Sequence, residues 1–290
     1  MTPGEFYDSY KNIQFWVEGK YFTNIAAKKY VINYGKGADL VNEINTKLGG
    51  FRTAAKDQMR GDPGPFARNH IIQIDTGAFT RTVYGKGSPS DMIHVLKVGI
   101  LTGQLEADQQ KVAGFAAKYF GTDCTGFVCS YFRELLVMPA EQSPLNTGCN
   151  YFYEEAKKTG AIIWNARDIK QDDILVWMDE TGKESRTPGH IALIDSVELL
   201  EPLSFEMDVN NKEMSCSVRL NCCESNGASG EDPRRTIRFL TGVAGNIDHH
   251  NRYWTIQNPF TGGTGKVLVM RPFERLRTYQ TRQMITKFKI

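Results

Sequence analysis

An α+β fold is predicted from three features of the 290-residue sequence. Helix-spaced apolar residues concentrate ahead of residue 136, and short strand-like runs follow residue 172. Clusters of Gly, Pro, Asn and Asp separate those runs, and helices followed by strands are the α+β order. The length suits one large domain or two modest ones and should bury roughly three quarters of the unfolded surface. With 41% apolar and 23% charged residues, disordered, collagen-like and coiled-coil chains are excluded. Lys plus Arg number 35 against 33 Asp plus Glu, a balance of +2, which removes the electrostatic case for a dedicated nucleic-acid binder.

The elements follow in order. Leu40, Val41, Ile44 and Leu48 stand at helical spacing, and Gly49-Gly50 is expected to end that helix. Asp62-Pro-Gly-Pro then breaks the chain, and Ile71-Ile-Gln-Ile-Asp reads as a strand. Ser88-Pro89 opens a second helix with Met92, Leu96 and Val98 toward a core, ending near Gly99 or Gly103. Tyr34-Gly-Lys-Gly and Tyr84-Gly-Lys-Gly echo each other without flanking similarity, which reads as chance or as two similar turns rather than as an architectural repeat. Within 105–120, Val112, Phe115, Ala116 and Tyr119 share a helix face, and Gly121 is expected to supply a left-handed stop. Thr122 or Asp123 caps the next helix, whose apolar face is Phe127, Val128, Tyr131, Phe132 and Leu135. Strands are predicted at 173–178, 190–199, 215–224, 236–240, 254–257 and 266–270. The expected division is an N-terminal region, 1–104, without an assigned role, and a second region, 105–290.

No apolar stretch approaches the roughly 18 to 20 residues that span a bilayer, and Met1-Thr-Pro-Gly-Glu does not read as a secretory leader. Six cysteines (124, 129, 149, 216, 222 and 223) are too sparse for a disulfide scaffold. Cys222 and Cys223 point to opposite strand faces, which disfavours a mutual bridge. There is no Cys-x-x-Cys pair, His249-His250 sits in a polar turn, and no metal site or cofactor is expected. Gly262-Gly-Thr-Gly-Lys-Val lacks the Ser or Thr a phosphate loop needs and reads as a hairpin turn.

The chemistry concentrates at Gly121-Thr-Asp-Cys-Thr-Gly-Phe-Val-Cys. Cys124 falls in the first turn of a predicted helix, where the helix dipole favours thiolate over thiol. Its own N–H can face an oxygen that turns negative during attack on a carbonyl. Such a thiolate needs an imidazole. Of five histidines, His190 alone is fixed at the start of a predicted strand, His-Ile-Ala-Leu-Ile. A group on the next antiparallel strand should orient its ring, and Glu224 fits, with Ser225 and Asn226 promoted by a small register error. Asp123 reads equally as a dipole-favoured first-turn acid and as a residue shaping the site. Cys129 reads as core, and Trp177 as core or cleft wall.

Asp123-Cys-Thr-Gly-Phe-Val resembles the Asp-Cys-Ser-Gly-Phe-Val signature of NlpC-type, papain-like cysteine peptidases and amidases of bacterial cell walls. The later pieces also resemble that family in order: Asp172-Asp-Ile-Leu-Val-Trp for its Gly-Asp strand, Gly189-His-Ile-Ala-Leu-Ile for its Gly-His strand, and Glu224 for its polar third residue. The likeness covers roughly 105 to 275. Thr125 stands for the usual Ser, Asp172 for the turn glycine, and residues 199–214 read as an inserted loop. Tyr119 is the counterpart of a site tyrosine ahead of the nucleophile. The resemblance implies a papain-like fold, with the nucleophile helix on an antiparallel, barrel-like sheet. It further implies hydrolysis of a peptidoglycan stem or crosslink amide by Cys124, His190 and Glu224. The expected settings are an effector with an immunity protein as partner, a lysin, or a wall-remodelling enzyme, the first two reaching periplasm or wall without a signal peptide. The same triad on this fold also supports deamidase, transglutaminase or acyltransferase chemistry, and the fold without turnover would be a wall-binding module.

Overall fold

A computed structural model of the protein describes residues 1–32, 37–60, 74–135, 148–178, 189–200, 218–227, 232–244, 253–259, 261 and 263–272. In chain order these form α1 (Pro3–Lys11), β1 (Ile13–Val17), β2 (Lys20–Ile25), α2 (Gly37–Arg60), α3 (Thr76–Val83), α4 (Pro89–Leu101), α5 (Gln109–Tyr119), α6 (Cys124–Glu134) and α7 (Cys149–Thr159). A short 3-10 turn, Ala166–Asp168, precedes β3 (Ile174–Met178), β4 (Ile191–Leu199), β5 (Val218–Glu224), β6 (Arg234–Ala244), β7 (Tyr253–Gln257) and β8 (Thr264–Met270). The α+β class is therefore as the sequence predicts, and each of the six expected strands is present. The 62–65 break, residues 71–73 of the expected strand, His70, His249, His250, Cys216 and nearly all of the 199–214 insertion lie outside the described residues.

The chain divides into two compact units. One, the barrel unit, comprises Met1–Phe6, Tyr131–Glu224 and Arg234–Ile290; the other, the helical unit, comprises Tyr7–Ser130 and Ser225–Pro233. Residues 105–130 thus group with the residues before them.

In the barrel unit, β3 to β8 pair antiparallel in sequence order and β3 closes on β8. Alternation drives closure, because each strand sends every second side chain to a shared interior. That interior is built by Leu175, Ala192, Ile194, Leu220, Cys222, Leu240, Trp254, Ile256, Val267 and Val269. Register shifts in β4 beside Asp195 and in β6 between Leu240 and Gly242 mark the bends that closure needs. The outer face of β3 and β8 is covered by α7, where Tyr153 packs with Met178 and Leu268. Cys222 and Cys223 are both buried, on opposite faces of β5, and form no mutual disulfide.

In the helical unit, α4 starts at a capping box between Ser88 and Asp91 with Pro89 in the first turn, as the sequence indicates. Two expectations about glycines are corrected. Gly49-Gly50 does not end α2, which runs on to Arg60. Its continuation buries Phe51 and Ala55, and Phe51 lies so close to Gly99 that a Cβ there would stand 2.5 Å from the ring. Burial of that face offsets the roughly 1 kcal/mol helix cost of each glycine. Nor does Gly121 supply a left-handed stop: it bridges Lys29 in parallel pairing, and a Cβ would lie 1.7 Å from the Lys29 carbonyl oxygen. Close backbone approach, not a positive φ, demands glycine there. Among the described residues no helix is long and apolar enough to cross a membrane.

Candidate active site

In the helical unit, α6 begins at Cys124, so the cysteine occupies the first turn as expected, and its side chain is buried. Asp123 caps the helix. Its carboxylate accepts the Gly126 N–H at 2.6 Å, the Thr125 hydroxyl at 3.1 Å, and the Lys86 ammonium at 2.6 and 2.8 Å. Lys86 also donates to the Thr125 hydroxyl. The hydroxyl of the signature's third residue therefore links a buried cation to a buried carboxylate, a task Ser or Thr can perform.

The Tyr84-Gly85-Lys86-Gly87 turn cradles this helix end. Gly85, at φ +67°, has a carbonyl that accepts the Asp123 N–H and the Thr122 hydroxyl, each at 3.0 Å. A Cβ on Gly126 would stand 2.0 Å from that carbonyl oxygen, which explains the glycine of the hexapeptide. The Lys86 carbonyl accepts the Ser130 hydroxyl at 3.0 Å. Lys86 escaped the sequence reading because a single lysine between turn glycines carries no periodic signal. Its echo at Tyr34 lies outside the described residues.

Burial pushes the Asp123 carboxyl up to about 6 against the pull of Lys86, and charge on Cys124 adds to the rise. At neutral pH the carboxyl remains largely ionised beside Lys86. Tyr119 ends α5 with its hydroxyl donating to Glu43 at 3.0 Å, and the Lys118 ammonium lies 4.7 Å from its ring centre.

In the barrel unit, His190 immediately precedes β4, its carbonyl accepting the Trp177 N–H at 3.0 Å. Its Nε2 lies 2.9 Å from Oε2 of Glu224, the last residue of β5. The pairing of Ala192 with Glu224 puts the carboxylate one strand over and two residues along from the histidine. Ser225 instead donates its hydroxyl to the Thr122 carbonyl at 2.6 Å, and the Asn226 N–H goes to Asp232 at 3.0 Å, so the imidazole's partner is Glu224.

Glu224 is fully buried, and its second oxygen is held by Arg238 at 2.8 Å with Arg234 at 3.6 Å. Burial pushes its carboxyl up, but the hydrogen bond and charge of His190 together with Arg238 and Arg234 outweigh burial and hold it below its usual range. Kept ionised, Glu224 accepts a proton held at Nε2. The Trp177 ring sits 4.7 Å from the imidazole, and the Arg238 guanidinium lies 6.0 Å from the indole. Trp177 also packs on the barrel core, so it is both core and a wall beside the histidine. Arg238 was missed by sequence reasoning. Its one signal was an inward position, two residues before core Leu240 on β6, where a charge must find a partner.

The Asp172 turn keeps a glycine-like backbone at φ +72° despite its side chain. Tyr131 donates its hydroxyl to the Asp172 carboxylate, and the Asp172 N–H donates to the Ile194 carbonyl at 2.9 Å. These bonds hold the turn that delivers β3. Among the described residues no group of three or more His, Cys, Asp or Glu could hold a metal ion.

Comparison with protein-family models, curated proteins and solved structures finds no match to this chain.

Proposed function

We propose that the chain is a papain-like cysteine hydrolase cleaving an amide in peptidoglycan stem or crosslink peptides through an acyl-enzyme. In this reading the Cys124 thiolate attacks the carbonyl carbon while the Cys124 N–H stabilises the oxyanion. His190 protonates the departing amine from Nδ1, then takes a proton from the water that hydrolyses the thioester, restoring the thiolate. Glu224 is the positioning residue that fixes the tautomer and offsets the imidazolium charge.

The observation that carries the proposal is the 2.9 Å pairing of His190 with a buried, arginine-held Glu224 at the ends of neighbouring strands. A solvated strand-end carboxylate would serve no such purpose. Support also comes from Cys124 in the first turn of α6 and from the Asp-Cys-Thr-Gly signature, whose resemblance to wall hydrolases supplies the substrate class.

Purified sacculi incubated with the protein, followed by mass analysis of soluble fragments, test the reading. New stem-peptide ends that vanish with Cys124→Ala and with His190→Ala are expected. Intact sacculi, with Cys124 alkylated no faster than the other cysteines at neutral pH, would overturn it in favour of a binding module. Intact sacculi with a fast Cys124 would move the substrate to a protein or lipid acyl group.

A further inference from the structure

We propose that Lys86 sets the ionisation of Cys124, acting through the buried Asp123 carboxylate, so that the Gly85-Lys86-Gly87 turn is a positioning and charge-setting element of the site. This deepens the cysteine-hydrolase reading and rests on it for its purpose, although the effect on the thiol is measurable without turnover.

The geometry is specific. Asp123 immediately precedes Cys124, and its negative charge, buried at the same helix end, opposes a second negative charge on the sulfur. Without a counter-charge the helix would bring its nucleophile a repulsive neighbour that cancels the benefit of the first turn. Lys86 is itself buried, contacts both carboxylate oxygens within 2.8 Å, and is steered onto them by the Thr125 hydroxyl. It converts the Asp123 cap from an obstacle to thiolate formation into a neutral pair that still holds the Gly126 N–H. The turn bearing Lys86 is pinned to α6 by the Gly85 and Lys86 carbonyls, so the ammonium has little freedom to leave. Within the helical unit, Asp123 comes to this helix end from its own start and Lys86 from the α3–α4 turn.

A lysine serving only to brace the helix would leave the thiol's acidity alone, whereas a charge-setting lysine shifts it with a sign that depends on which partner is removed. The test is the rate of iodoacetamide labelling of Cys124, followed by peptide mass spectrometry from pH 4 to 10, in the full chain. Variants are Lys86→Met, Lys86→Arg, Asp123→Asn and the Lys86→Met/Asp123→Asn double.

Lys86→Met, which leaves Asp123 to ionise only at higher pH, should slow labelling once that carboxyl is ionised and move the labelling midpoint to higher pH. Asp123→Asn, which keeps an oxygen for the cap, should move the midpoint lower. The double variant should fall between them, and Lys86→Arg should hold the wild-type midpoint. A midpoint unchanged in Lys86→Met, or unchanged in Asp123→Asn should the methionine variant not fold, overturns the inference. The two ideas fail separately. A wild-type Cys124 labelled no faster than the other cysteines counts against the hydrolase, while a fast Cys124 indifferent to Lys86 and Asp123 counts against this inference alone.

Discussion

The barrel unit and the helical unit each bury a carboxylate beside a residue of the proposed chemistry, and their surroundings push the two in opposite directions. Glu224 meets two guanidinium groups and an imidazole and is held below its ordinary 4.5. Asp123 meets one ammonium, shares its helix end with a cysteine, and rises to about 6. Both are buried, so burial alone does not decide a carboxylate's state; the number of positive partners against nearby negative ones does. One group is held more strongly as an anion than an ordinary carboxylate, beside a ring. The other sits close enough to neutrality that its partner's charge matters.

Substitutions can break this contrast. The largest stability effect is expected from Glu224→Ala, which leaves the buried Arg238 and the half-buried Arg234 without their counter-charge and should cost about 3–5 kcal/mol, read from urea unfolding. Retained stability would mean that the arginines reach other acceptors and that Glu224 is not their organising charge. Gly126→Ala comes next, because its methyl would meet the Gly85 carbonyl oxygen. A loss of about 1–3 kcal/mol is expected, with slower labelling of Cys124 as the helix end shifts.

Acidity sharpens the comparison because the two carboxyls should give opposite slopes. Glu224 binds its proton more weakly folded than unfolded, so its contribution is present above 4.5 and fades as pH falls through its lower folded value. The stability gap between wild type and Glu224→Gln should therefore narrow on acidification. Asp123 binds its proton more tightly when folded, so wild type should lose stability relative to Asp123→Asn as pH rises from 3.8 toward 6. Urea midpoints from well below pH 4.5 up to 6 check both, and parallel slopes would remove the distinction.

The smallest effect is expected at the Asp172 turn. Glycine there relieves about 1 kcal/mol of left-handed backbone cost but loses the Tyr131 hydrogen bond, worth about the same, so Asp172→Gly should be nearly neutral. Asp172→Ala keeps the cost, loses the bond, and should destabilise by about 1–2 kcal/mol in thermal unfolding.

The units also differ in how far the sequence discloses them. The strands of the barrel unit were legible because alternation of Leu175, Trp177 or Leu220, Cys222 is a local pattern that any buried antiparallel sheet imposes. In the helical unit, α3 and the β1–β2 hairpin were not read from the sequence, since eight residues of helix and strands of five and six residues are short stretches for a period to stand out. Phe15 finds Phe22 across the hairpin, and Phe51 finds Phe115. The two glycine expectations failed because Gly49-Gly50 and Gly121 answer to Phe51's packing and to the Lys29 backbone rather than to local conformation.

The sequence by itself determined the α+β class, the six strands, Cys124 in the first turn of α6, and His190 at a strand's edge, because each depends on spacing, capping or composition within a dozen residues. Only the tertiary structure decided that Glu224, rather than Ser225 or Asn226, meets His190, that Arg238 and Trp177 back them, and that Lys86 reaches Asp123. Those pairings join residues far apart in the chain through strand register and turn geometry, and a buried charge takes whichever partner the fold brings within reach.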